Sequence, residues 1–228
     1  MKSKTMMCAA VSVICLVLFI ALIMLLKLVD VQPIGPEQSV IGLAGLNSAV
    51  RDSIAFNDLF DKVSDVIFLL AFVVAFVFVI IGIIQFLKRK SIFKIDRDLY
   101  LIAGAFVAMV AIYAFFELVI INYRPIIEVG GELEASFPSS HVLVIFTVVG
   151  IAVHQTLVRA RGVIKIVGVS CLGGLLLLGL VCRVLSGVHW ITDILGALLI
   201  SGAIVFCYLS FYHRFINNKT ATQKECAG

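Results

Sequence analysis

Arg183, His189 and Asp193 stand together in the stretch Cys182–Asp193, where one apolar run ends and the next begins. His189 and Asp193 are four apart, so on a helix they share a face and can touch. Two other segments carry matching chemistry: Asn122-Tyr123-Arg124-Pro125 and Pro138-Ser139-Ser140-His141. Two arginines, two histidines and an aspartate can handle a phosphate group without a metal. The arginine fork matches phosphate oxygens and keeps its charge. A neutral histidine can attack phosphorus if its other ring nitrogen is held, and Asp193 is spaced to accept that N–H from His189. His141 can protonate the departing oxygen, and Pro138-Ser139-Ser140 reads as a helix start whose free N–H groups favour an anion. A zinc site from His141, His189 and Asp193 has suitable donors, but two neighbouring arginines would repel the cation.

These residues need a scaffold, and composition says which kind. With 62% hydrophobic residues and a mean hydropathy of +1.15, the chain reads as an all-α, polytopic membrane protein, one domain over residues 1–228. Apolar runs predict six spans, at about 6–29, 63–87, 99–121, 142–158, 163–181 and 191–212, each near the length a hydrocarbon core requires. The first is expected to be a retained signal-anchor helix, since it is too long for a signal-peptide core and no A-x-A site follows. Asp30–Asp61 is the longest polar connection. Within it Leu43, Leu46, Val50, Ile54 and Leu59 recur at about helical period, which predicts an amphipathic helix at the interface. That helix suits a lid for a lipid or a packing element over the bundle. After Arg124-Pro125 comes a polar loop with Gly130-Gly131 and three acids, Glu128, Glu132 and Glu134. Gly168, Gly173, Gly174 and Gly179 suit close helix packing in the fifth span. Trp190 is expected to anchor at the membrane border, His154 and His213 to be interfacial residues, and the Phe-rich second span (Phe68, Phe72, Phe76, Phe78) to be lipid-facing or core. The cysteines read as small hydrophobes rather than a disulfide framework.

Six spans put both termini on one side, and the charges orient the bundle. Lys2 and Lys4, the cluster Lys88–Arg97, Arg159, Arg161 and Lys165, and Arg214, Lys219 and Lys224 together make 13 of the 18 basic residues, all on the side of the termini. The positive-inside bias then predicts cytoplasmic termini in a cell membrane. Arg124, His141, Arg183, His189 and Asp193 all fall on the external face. Ionisable residues at the ends of spans are costly, so function is the default reading.

In this pattern the chain resembles the type-2 phosphatidic acid phosphatase family, whose motifs are K-x6-R-P, P-S-G-H and S-R-x5-H-x3-D. Arg183, His189 and Asp193 meet the third at the right spacing, with Cys182 in place of serine. Pro138, Ser139 and His141 meet the second, with Ser140 in place of glycine. Only Arg124-Pro125 meets the first, because Glu117 occupies the lysine position. The resemblance implies a six-span lipid phosphatase with an outer-face site. It implies His189 as the nucleophile that forms a phosphohistidine, Asp193 orienting it, and His141 as acid and then base. Arg124, Arg183, Ser139 and the Ser140 backbone N–H would hold the phosphate. No cofactor, metal or nucleic-acid partner is implied; the partners are the bilayer and a lipid phosphate.

The departures leave alternatives open. Ser140 keeps the backbone N–H, and Cys182 loses a hydroxyl. Glu117 replaces a cation with an anion; on a continuing helix it would share a face with Arg124 and could serve as a strut to Arg124 or Arg183. A lipid phosphatase acting on a monoester or on a polyprenyl diphosphate such as the undecaprenyl carrier is the leading reading. A phosphotransferase passing the group to another acceptor uses the same intermediate. A non-catalytic lipid-binding relative is the reading Glu117 favours, although a transporter would place polar residues near the midplane.

Overall fold

The structure, a computed structural model, describes residues 2–127 and 131–217; Glu128, Gly130, Lys219, Lys224 and Cys226 lie outside the described residues. It is all-helical in architecture: α1 (Lys2–Leu28), α2 (Ala44–Ser53), α3 (Asp58–Arg89), α4 (Arg97–Leu118), α5 (Ser140–Arg159), α6 (Gly162–Leu185) and α7 (Ile191–Tyr212). Six of these, all but α2, are long and apolar enough to cross a membrane. The chain is a multi-pass membrane protein with a short additional helix in its first connection.

Helix ends differ from the apolar runs where polar residues decide them. Asn57 caps α3, its side chain accepting from the backbone N–H groups of Leu59 and Phe60. Asp58 and Asp61 therefore belong to α3 rather than to the preceding connection, and Leu59 is not part of the amphipathic helix. That helix is shorter than its periodicity suggests, ending at Ser53. α4 stops at Leu118, three residues before the apolar run does, so Glu117 and Arg124 are not on one continuous helix. The chain instead forms a small antiparallel bridge, Tyr123 opposite Ala135. Arg124 N–H donates to Glu134 O at 3.0 Å and Ser136 N–H to Asn122 O at 2.9 Å. This bridge clamps the segment before α5 against the segment after α4.

α5 is the centre of the bundle and touches α3, α4, α6 and α7. Its buried face (Val142, Ile145, Val148, Ile151) joins Phe137, Ile194 and Ala197 in one core. A Cβ at Gly196 would lie 2.4 Å from the Phe137 ring, so only glycine lets α7 approach here. α1 runs antiparallel to α7, tied by Ser12 Oγ to Ala203 O (2.7 Å) and Ser210 Oγ to Thr5 O (3.2 Å). In α6 the glycine expectation holds only in part. Gly168 sits against Thr156 and Gly179 against Ile67 and Ile145, while Gly173 and Gly174 face open space. His154 is more than interfacial: its Nδ1 meets the Tyr208 hydroxyl at 3.1 Å, in a network with Gln155, Arg159 and Asp98. Cys8, Cys15, Cys171, Cys182 and Cys207 are free.

α2 acts as a clamp. Asn47 is buried, donates to Gly42 O at 2.9 Å, and accepts from the Thr192 hydroxyl at 3.1 Å. It thereby pins the first turn of α7, the helix that carries Asp193. Asn47→Ala leaves these groups unsatisfied and should lower stability by ~1–3 kcal/mol, read as the unfolding midpoint in detergent. Ser48→Ala, which loses bonds only to its own helix, should leave the midpoint nearly unchanged; equal losses would refute the clamp.

Candidate active site

The ends of α4 and α6 and the starts of α3, α5 and α7 gather at the end of the bundle opposite the termini. Gly187 makes the turn from α6 into the His189 loop at φ +71, with its α-carbon face against the Phe56 backbone. That turn delivers His189 and Trp190 beside the start of α7.

His189 and Asp193 do not bond directly. Nδ1 lies 3.7 Å from Asp193 Oδ2, beyond hydrogen-bond reach. Ser136 Oγ stands between them, 2.9 Å from Nδ1 and 2.5 Å from Oδ2. Arg183 reaches the other ring nitrogen, Nε2, at 2.9 Å. Guanidinium can only donate, so Nε2 must present its lone pair. Ser136 has one proton and gives it to the carboxylate, so it accepts from Nδ1–H. Both contacts select the same tautomer. Burial first, then the charges of Arg183 and Arg124, hold the His189 pKa well below its ordinary 6.5. The ring is therefore neutral at neutral pH, with Nε2 nucleophilic. Asp193 is completely buried and also accepts from Asn122 Nδ2 (3.1 Å) and the Trp190 backbone N–H (3.0 Å).

The first turns of α3 supply partners that the sequence reading passed over. Asp61 accepts from Arg183 at 2.7 Å, and Asp65 meets His141 Nε2 at 2.8 Å. Phe68 stacks on the His141 ring, centroids 4.2 Å apart and planes within 25°. Arg124 pairs with Glu134 at 3.1 Å. Two cavities open beside these groups. One, of about 380 Å³, is lined by His189, Ser140, Ser136, Arg124, Glu117 and Glu134 among others. The second, of about 680 Å³, is lined by His141, Arg183, Asp61, Asp65, Arg124 and Glu134 among others. Arg124 and Glu134 border both. Among the described residues, the buried polar atoms here that have no hydrogen-bond partner include Ser139 Oγ, His141 Nδ1 and Arg183 Nε. Buried groups left so are unusual and suit a ligand with hydrogen-bonding oxygens. Among the described residues, no three His, Cys, Asp or Glu side chains form a metal-binding group.

Residues 118–217, which hold every one of these motif residues except Glu117, match the PAP2 superfamily. That stretch is similar to the PAP2 superfamily and makes up somewhat less than half of the chain. The fold agrees with that of a transmembrane PAP2-type phosphatidylglycerolphosphate phosphatase from Bacillus subtilis, known from a crystal structure. The TM-score is 0.64 at 20% sequence identity, over 90% of this chain and 97% of that one. At that identity the likeness is one of fold. No curated protein matches the chain significantly in sequence.

Set against the PAP2 motifs, the structure brings Arg124, His141, Arg183, His189 and Asp193 to one end of the bundle. Ser139 lies at the start of α5 with its N–H on Asp193 O (3.1 Å), and Ser140 faces the His189 cavity. Glu117 is exposed on the wall of that cavity, while Arg124's ion pair is with Glu134. Cys182 is buried and lines neither cavity. Trp190 is not a border anchor: it is 2% exposed, its Nε1 donates to Tyr123 O at 2.7 Å, and Arg51 sits over its ring. It braces the His189 loop from inside. Asp65 and Phe68 had a legible signal, an acid within an apolar span one turn from an aromatic. Ser136 had none, because nothing local marks a serine that fits between two residues more than fifty positions away.

Ser136→Ala removes the hydroxyl that links Nδ1–H to Asp193. Loss of a hydrogen bond to a charged group is worth about 1.5–3 kcal/mol, so turnover should fall roughly 10- to 100-fold. KM should change little. A steady-state comparison with wild type checks this, and unchanged kcat would remove Ser136 from the site.

Proposed function

We propose that this protein is a membrane lipid phosphatase that cleaves a lipid phosphate monoester or a polyprenyl diphosphate through a phosphohistidine. The observation that carries the reading is the double anchoring of His189, which leaves Nε2 unprotonated beside a buried arginine. A phosphate taking the Arg183 fork would bring its phosphorus next to that nitrogen. Arg124, Ser139 Oγ and the Ser140 N–H, at the start of α5, are suited to the remaining oxygens. Nε2 attacks, the leaving oxygen takes a proton from His141, and water then hydrolyses the N–P bond with His141 as base. The charge bias predicts that the termini are cytoplasmic and the site external, at headgroup depth, where a lipid can enter sideways. That side mildly favours an exported carrier such as undecaprenyl diphosphate, with phosphatidic acid and phosphatidylglycerol phosphate as other candidates.

Glu117 favours one rival, a lipid-binding relative that does not turn over, because it places an anion on the cavity wall where the family motif has a lysine. A phosphate-release panel with these three lipids, on detergent-solubilised protein in EDTA, decides between them. Release from at least one lipid, with a phosphohistidine trapped on quenching, is the expected result. Binding with no release from any of them would leave only the rival.

A further inference from the structure

We propose that Asp65 is the positioning carboxylate of His141, so that the site contains two histidine–acid pairs built on different helices. The proposal rests on the phosphatase reading above, and in it His141 handles the leaving-group proton and the attacking water. Asp65 Oδ1 lies 2.8 Å from His141 Nε2. Phe68, three residues further along the same helix and hence on the same face, stacks on the imidazole at 4.2 Å. One face of α3 therefore sets both the plane of the ring and the direction of its nitrogens. With Nε2 held by a carboxylate, the transferable proton is carried on Nδ1, which is buried and has no hydrogen-bond partner among the described residues. An imidazolium at this place stands near Arg183 and Arg124, which line the same cavity, and Asp65 is the counter-ion in contact with it. His189 is braced quite differently, through Ser136 and Asp193.

In the first step the P–O bond to the leaving group breaks as the His189 Nε2–P bond forms, and the His141 Nδ1 proton passes to the departing oxygen. In the second, water attacks phosphorus, its proton returns to Nδ1, and the N–P electron pair goes back to Nε2. Asp65 acts in both through the ring it holds. The need for the proton depends on the leaving group: an alkoxide requires it, and a nitrophenolate, a weak base, does not.

The test compares full-length wild type, Asp65→Asn and Asp65→Glu in detergent. The substrates are p-nitrophenyl phosphate and phosphatidic acid, or whichever alkyl monoester of the panel wild type turns over fastest. Phosphohistidine formation is followed in single turnovers and phosphate release at steady state. Asp65→Asn should slow phosphohistidine formation from the alkyl ester roughly 10²-fold or more and from the aryl ester less than 10-fold. With the aryl ester the intermediate should accumulate, because the water step lacks its base. Asp65→Glu should recover most of the rate. Equal slowing on both esters, or no rescue by glutamate in a variant that elutes as wild type does, would overturn the positioning role while leaving the phosphatase reading intact. A wild type that turns substrate over without any phosphohistidine would overturn both.

Discussion

His189→Ala is expected to reduce phosphate release by roughly 10⁴-fold or more, as loss of a nucleophile does elsewhere, and to abolish the trapped phosphoenzyme. The residual rate would come from the arginines, which in the proposed mechanism still bind and polarise the phosphate. Substrate affinity should therefore survive better than turnover, a split that separates loss of chemistry from loss of folding. The ring is buried between Ser136 and Arg183, so its removal opens a small polar void. A stability loss of ~1–3 kcal/mol is expected from the groups left unpaired, which the elution profile and unfolding midpoint would show. Release retained within tenfold of wild type would sink the phosphohistidine mechanism.

Arg183→Ala should be nearly as damaging, for reasons that are partly structural. The side chain is 2% exposed and bonds Asp61 at 2.7 Å and His189 Nε2 at 2.9 Å. Removing it takes away the proposed phosphate fork, the donor to His189 Nε2, and the counter-charge of Asp61. A carboxylate that has lost this counter-charge would then stand beside the phosphate and repel the substrate. Together these predict a fall in kcat/KM of roughly 10³- to 10⁵-fold, the scale seen when a phosphate-stabilising arginine is lost. Breaking a buried pair costs about 3–5 kcal/mol, and the partial exposure of Asp61 points to the lower end. The double variant Asp61→Ala/Arg183→Ala should regain stability but not activity, whereas Arg183→Lys should keep charge yet lose the bidentate geometry. Activity restored in the double variant would show that the arginine serves the fold alone.

Much of the fold was legible because its cause is local. A hydrocarbon core demands about twenty apolar residues per helix, and each such run is visible in the chain without knowing its neighbours. Helix ends were less legible: Asn57 and its cap moved Asp58 and Asp61 onto α3, and the Tyr123–Ala135 bridge replaced the last turn expected of α4. The five motif residues were legible through their spacing, but their partners were not. Ser136, Asp61, Asp65, Glu134 and Asn47 each meet a site residue or its helix only after the bundle has closed. Asp65 was the exception that could have been found, since an acid inside an apolar span needs a reason.

By itself the sequence determined that six apolar helices bring three motif-bearing segments to one end of the bundle, because span length and span number follow from the order of residues. It also supplied two arginines, two histidines and an aspartate, residue types suited to binding a phosphate, attacking it and moving a proton. Only the tertiary structure decided how those residues are held. The four-residue spacing of His189 and Asp193 predicts direct contact, yet the ring nitrogen and carboxylate stand 3.7 Å apart with Ser136 between them. Likewise α3, by its reading a plain apolar span, presents Asp61, Asp65 and Phe68 to the arginine and the second histidine. Hydrogen bonds depend on tenths of an ångström between residues distant in the chain, and that precision comes from helix packing, not from spacing along the sequence.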